Sequence, residues 1–199
     1  MFIAHMPAGF LLSRHILRKQ RDESYYISFL LAGMIASVSP DFDLAYFHLI
    51  DDRQHPHHSY WTHIPVFWLA IYAAIYFPIL KWFGEKAGRL LTIILLGGLL
   101  HMGLDSFASG IKWLYPFDTR YHGLWRVPAI HDWWVANYLF HWTFLLELVI
   151  TFTAAIVWFR DQALRSEIRL QLQSWLYMLL PGNRLLTRFV AYKKASSQE

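Results

Sequence analysis

The chain has 199 residues, 56% of them hydrophobic and 18% aromatic, with a formal net charge of +4 and no cysteine. Without cysteine there is no disulfide or thiolate metal site, so any metal has to be held by imidazole and carboxylate. No Lys/Arg block of the kind that tracks phosphates occurs, which argues against a nucleic-acid partner.

Taken in chain order, the apolar runs read as membrane helices, each needing about 20 mostly apolar residues to span. Phe2–Leu17 is the weakest candidate; it has no basic stretch before its apolar run and does not read as a cleaved signal peptide. Tyr25–Ile50 is long enough, but Ser39-Pro40-Asp41-Phe42-Asp43 interrupts it. Serine caps a helix and proline opens one, so a break is expected there. Irregular backbone at membrane depth survives only where it lines a protein cavity. Ile64–Phe83, Leu90–Leu104 and Leu139–Phe159 complete the set. The expectation is an all-α, polytopic membrane helix bundle with about four or five spans. Residues 1–160 form its membrane-embedded domain and residues 161–199 a cytoplasmic tail. In that tail Arg160–Leu180 is amphipathic, lying on the membrane face or packed as a soluble helix, and Ala195–Glu199 is expected to be disordered.

Loop charge orients the spans. Arg14, Arg18, Lys19 and Arg21, then Lys81, Lys86 and Arg89, then Arg160 through Lys194 account for 14 of the 18 basic residues. The opposite loops hold only Arg53, Lys112, Arg120 and Arg126. Placing the basic set in the cytoplasm brings His5, Asp41, Asp43, His58, His63, His101, Asp105, His131 and His141 to the outer, periplasmic ends. That ordering used only hydropathy and Lys/Arg, so the gathering of potential ligands at one level is an independent sign of a site.

His101-Met-Gly-Leu-Asp105 places two ligand types one helical turn apart on one face; a structural His–Asp hydrogen bond is the alternative. Asp41 and Asp43 cannot share a helix face, but share an ion if the chain turns at Pro40; the alternative is one capping and one surface aspartate. In His55-Pro-His-His58-Ser-Tyr-Trp-Thr62-His63, His58 and His63 are the better ligands, and His55 and His57 read as an interfacial polar loop. His5 stands between ligand and core histidine. His131 and His141 read as hydrogen-bonded core residues, and His15, His48 and His122 as non-ligands. Glu147, six residues beyond His141, is off its face and not paired with it. Trp133, Trp134, Tyr138 and Trp142 read as an interfacial aromatic belt.

His5, the Ser39–Asp43 segment, His58 with Thr62-His63, His101–Asp105 and Trp113-Leu-Tyr-Pro-Phe117 occur in this order. Together they resemble the bacterial family of membrane-bound, predicted metal-dependent hydrolases, inner-membrane proteins linked to the SOS response. The resemblance covers roughly Met1 to Phe117. The helical His/Asp arrangement is similar, more loosely, to zinc-dependent phospholipase C and its nuclease relatives. The resemblance implies His5, Asp41, His58, His63, His101 and Asp105 as metal positions with Asp43 beside them. Where the family pattern has an arginine after the first histidine and a serine after the second, Ser59 and Ile64 stand here, which implies a different or weaker hold on substrate.

The expected function is metal-assisted hydrolysis of a phosphoester or other ester, a membrane lipid being the substrate suited to a site at bilayer level. One to three divalent ions, zinc foremost and Mn²⁺ or Fe²⁺ admitted by the same donors, would activate water. Asp43 or Asp105 is the expected base. The rival expectation is a non-enzymatic metal-binding membrane protein, either a transporter or a scaffold.

Overall fold

The computed structural model describes residues 3–21 and 24–179; the expected disorder of Ala195–Glu199 lies outside them. The α-helices are α1 (His5–Ile16), α2 (Tyr26–Ala36), α3 (Asp43–Leu49), α4 (Pro65–Asp105), α5 (Trp134–Leu139), α6 (Thr143–Arg160) and α7 (Gln162–Leu179). Short 3₁₀ turns lie at Ser39–Phe42, His57–Ser59 and Trp61–His63. Among the described residues there is no strand, only one isolated bridge between Ile111 and His122.

Two helices, α4 and α6, are long and apolar enough to cross a membrane, three spans in all if the bent pair Tyr26–Ala36 and Ser39–Leu49 counts as one. That is fewer than the four or five expected. The physical reasons are plain. Helix α1 has 12 residues, about 18 Å at 1.5 Å per residue, short of a bilayer core of about 30 Å. Leu90–Leu104 follows Ile64–Phe83 with no loop between them, joined within α4 at Gly84.

Helix α4 nevertheless does not run straight for 41 residues. Gly84 has φ 78° and ψ −178°, a conformation open essentially to glycine alone. Beyond it the chain turns back. The Tyr72 and Thr92 hydroxyls are 3.0 Å apart, and a Cβ on Gly98 would stand 2.8 Å from the Trp68 ring. In a straight helix positions 68 and 98 would be about 45 Å apart. Residues 65–83 and 85–105 are therefore the two arms of a helical hairpin. Its tip carries Lys81, Lys86 and Arg89, and its open end brings His63 back beside His101 and Asp105.

Small residues let the helices close on this hairpin. A Cβ on Gly9 (α1) would collide with the Ser37 hydroxyl, and one on Gly33 (α2) with the Ser13 hydroxyl. One on Gly97 (α4) would meet the Ala36 Cβ at 2.8 Å. Gly9-x-x-x-Ser13 and Gly33-x-x-x-Ser37 are the small-xxx-small pattern by which membrane helices bring backbones together. At the hairpin tip, the Lys86 ammonium lies over the Tyr25 ring and Arg89 donates to the Tyr25 hydroxyl at 3.2 Å. Helix α2 thus runs from the tip towards the open end, parallel to the second arm. Helix α1 runs the other way, with His5 at the open end.

Large apolar side chains remain on the outside, among them Phe67, Leu69, Ile71, Phe77 and Trp82 on α4 and Leu145, Val149 and Phe152 on α6. In a lipid solvent this is the favourable arrangement. The chain divides into two compact units, residues 1–155 and 156–199. In the second, the Asp161 carboxylate accepts the Leu164 N–H at 3.1 Å and so caps the start of α7. Leu170, Leu172 and Trp175 on α7 are exposed.

Candidate metal centre

Four elements converge at the open end of the hairpin. Helix α1 begins with His5; the 3₁₀ turn Ser39–Phe42, which Pro40 opens, supplies Asp41; the loop before α4 supplies His58 and His63; and the last turn of α4 supplies His101 and Asp105. His63 and His101 are fully buried, and Asp105 and His5 nearly so.

The orientation of the imidazoles is fixed from behind. His101 Nδ1 lies 2.9 Å from the Ser37 carbonyl, which can only accept, so Nδ1 carries the proton. His63 Nδ1 is 2.8 Å from the Asp43 carboxylate, with the same consequence. In the neutral rings both Nε2 atoms are then bare lone pairs, and they face each other at 3.3 Å. Two buried lone pairs at that distance repel unless a cation lies between them. This is the usual preparation of a metal-bound histidine, with its far nitrogen held by a carbonyl or carboxylate. His58 repeats it, with Nδ1 at 3.3 Å from the Gly110 carbonyl and 3.2 Å from the Ser109 hydroxyl. Burial pushes its imidazole down to about 3, so it is neutral at pH 7 and its Nε2 could serve as a metal ligand.

Carboxylate oxygens complete the set. Asp41 Oδ1 is 3.5 Å from both His63 Nε2 and His101 Nε2. Asp105 Oδ2 is 3.1 Å from His101 Nε2 and 3.9 Å from His63 Nε2. An ion bound tetrahedrally at about 2.0–2.1 Å from each donor places the donors roughly 3.3 Å apart. His63, His101 and Asp41 therefore have the spacing of three donors to one ion, and Asp105 lies within reach of both imidazoles. Asp105 also reaches outward, with Oδ2 at 3.4 Å from His58 Nε2 and Oδ1 at 3.3 Å from His5 Nε2. His5 stacks on the His101 ring at 3.8 Å and 18°. Three groups of potential ligand atoms each lie within 4.8 Å: Asp41, His63, His101; His5, His101, Asp105; and His57, His58, His63. Shared members link the three. The residues present fit a divalent ion, and the bridging position of Asp105 fits more than one.

Asp43 stands elsewhere than its neighbour. Asp41 and Asp43 grip opposite edges of the same His63 ring, and Asp43 belongs to none of the three groups. Its carboxylate receives the Thr62 hydroxyl at 2.5 Å and lies 3.3 Å from His57 Nδ1. His57, read from sequence as interfacial, sits at the site, its ring 4.6 Å from that of His63. His131 and His141 stay out: the His131 backbone is held by Asn137, and His141 Nδ1 meets the Thr143 hydroxyl at 2.9 Å. His15 lies on the last turn of α1, opposite the centre. His48 receives Arg53, and His55 and His122 pair with Asp51 and Asp118.

Sequence reasoning set Glu147 aside, and it has a place here. Fully buried on α6, it accepts the Ile3 and Ala4 N–H groups at 2.6 and 3.1 Å. A carboxylate at a helix N-terminus satisfies free N–H groups and complements the helix dipole. By pinning the chain one residue before His5, Glu147 sets where that imidazole stands. The available signal was a carboxylate inside an otherwise apolar span, a costly placement that marks a purpose.

Fold and site together define an all-helical membrane protein with a buried histidine–aspartate cluster able to hold a metal. The chain matches the family described as YdjM inner membrane protein over residues 1–189 and belongs to that family. No curated protein and no solved structure matches it.

Proposed function

We propose that this inner-membrane protein is a metal-dependent hydrolase of an ester or phosphoester, with a membrane lipid as substrate and zinc as the foremost ion. The observation that carries the reading is the pair of buried Nε2 atoms 3.3 Å apart, each with its Nδ1 committed to an acceptor, amid Asp41 and Asp105. His63, His101 and Asp41, with Asp105, would hold one ion, and His5 and His58, each against an oxygen of Asp105, would serve a second. A bound divalent ion supplies Lewis-acid polarisation and an activated water.

The residues of the chain do the rest. Asp105, touching both ligand sets, holds them in register. Asp43, named from sequence as ligand or base, orients His63 and His57 and keeps their Nδ1 protons in place. His57 is a quarter exposed and lines a cavity beside the site. The centre lies at the end of the hairpin opposite the basic tip, which supports a periplasmic site under the positive-inside rule.

One observation favours the rival scaffold reading: Asp41 and Asp105 both stand against the facing imidazoles of His63 and His101, and four protein donors suffice to close a structural zinc site. The surplus of His5 and His58 favours hydrolysis. The deciding experiment measures metal content and turnover on one preparation of the full chain in detergent, against lipid and soluble phosphoesters and carboxyl esters. The hydrolase reading expects chelator-sensitive turnover restored by zinc, manganese or iron. Full metal occupancy with no turnover across the panel would establish the scaffold instead.

A further inference from the structure

Beside the cluster, on the side of His57 and His58, lies a cavity of about 360 Å³ lined by Pro56, His57, His58, Gly110, Tyr121 and Arg126. That volume falls within the ~300–1,000 Å³ of small-molecule sites. Arg126 is its permanent charge. The Lys112 ammonium adds a second nearby, 5.0 Å from the centre of the Tyr121 ring. No carboxylate lines the cavity. The nearest acidic groups are spoken for: Asp118 is held by Arg120 at 2.8 Å and by His122 at 3.2 Å, and Asp43 and Asp105 stand behind the imidazoles of His57 and His58. No described acidic residue pairs with Arg126. A guanidinium kept free of carboxylates, at the mouth of a histidine cluster, is built for an anion with several acceptor oxygens, which its fork meets in bidentate fashion.

We propose that this cavity is a phosphate subsite in which Arg126 binds the phosphoryl group of the substrate, making the protein selective for phosphoesters over neutral esters. The proposal rests on the hydrolase reading for its meaning, but not for its test. The histidine wall faces the cluster, so a phosphate held by Arg126 is presented to the side on which His57 and His58 stand. Two sources share this chemistry, a lipid headgroup and a water-soluble phosphomonoester. A second cavity of about 300 Å³, apolar and lined by Trp61, Thr62, Trp68, Ile71 and Leu95 among others, adjoins the cluster through Thr62. It offers a lipid chain a place.

The test is equilibrium binding of inorganic phosphate to the purified, zinc-loaded full chain. Arg126→Ala should weaken phosphate binding roughly tenfold or more, as loss of a charge-assisted contact does, and Arg126→Lys should restore part of it. Lys81→Ala, at the hairpin tip, should leave it unchanged, and metal content should be the same in all three variants. Competition by phosphatidic acid in bicelles, absent with phosphatidylcholine, would mark a lipid source; competition by glycerol phosphate alone would mark a soluble one. Phosphate binding that ignores Arg126, or no phosphate binding by the wild-type chain, overturns the proposal. Turnover with Arg126-independent phosphate binding would sink the subsite and leave the hydrolase standing. Arg126-dependent binding without turnover on any substrate would do the reverse.

Discussion

The single residue with the widest reach is Asp43, because it works through its neighbours. It holds the Nδ1 atoms of His63 and His57 and the Thr62 hydroxyl. Partners of metal-bound histidines typically affect metal affinity by about 10–100-fold when removed. Asp43→Asn should therefore weaken zinc binding by about that factor, while Asp105→Ala should abolish it; competition titration against a chelator of known affinity separates the two. Equal affinity in Asp43→Asn and wild type would show that His63 is oriented by packing alone. Glu147 offers a second test at this scale. Glu147→Ala leaves two N–H groups without their acceptor and should destabilise the fold by about 1–3 kcal/mol, seen as a lowered midpoint of thermal unfolding. Glu147→Gln, which keeps one acceptor oxygen, should lose less. His101 and Asp105 were legible in the sequence because helical spacing alone puts them on one face. His57 and Glu147 were not. One lies in a loop whose fold no periodicity sets, and the other acts on backbone N–H groups more than 140 residues away.

At the scale of elements, the centre exists because α4 is a hairpin and because α1 and α2 close on its second arm. Both features put extreme demands on a few small residues. Gly33→Leu would drive a side chain into Ser13 and Ile93, and overpacking of this kind costs about 1–3 kcal/mol or rearranges the helices. The expected result is loss of bound metal even though position 33 is no ligand, since α2 carries the Ser37 carbonyl that orients His101. Wild-type metal content in a folded Gly33→Leu variant would contradict the packing described. The runs Ile64–Phe83 and Leu90–Leu104 were legible as apolar segments, and the break at Pro40 was legible from its turn chemistry. Their joining through a single residue was not, because Phe83-Gly84-Glu85 carries no signal that separates a sharp reversal from a short loop. The shortness of α1 was missed for a related reason: composition suggested a span over Phe2–Leu17, but the helix covers only His5–Ile16.

For the whole molecule, the hairpin ties charge to chemistry. Its tip carries the basic residues and its open end the ligands, so the two lie at opposite ends of arms each about 30 Å long. Orientation in the membrane then decides which compartment the site serves. Reporter fusions after Lys86 and Arg160 should register in the cytoplasm, and one near Arg120 in the periplasm; the opposite pattern would turn the site to the cytoplasm without altering its geometry. The gathering of His5, Asp41, His58, His63, His101 and Asp105 at one level was visible from hydropathy and basic residues alone, because alternating spans return every second loop to the same side. Their distances were not, since those depend on backbone approach at Gly33 and Gly97.

The central claim is that buried, facing imidazoles at the end of this hairpin hold a divalent ion. Elemental analysis of the purified full chain, compared with His101→Ala and Asp105→Ala and with His15→Ala as a control, tests it most directly. The account predicts at least one equivalent of a divalent transition metal in wild type and His15→Ala, and its loss in the two ligand variants while both remain helical by circular dichroism. Wild-type protein that takes up no metal when zinc is supplied, or ligand variants that retain the full complement, would contradict it.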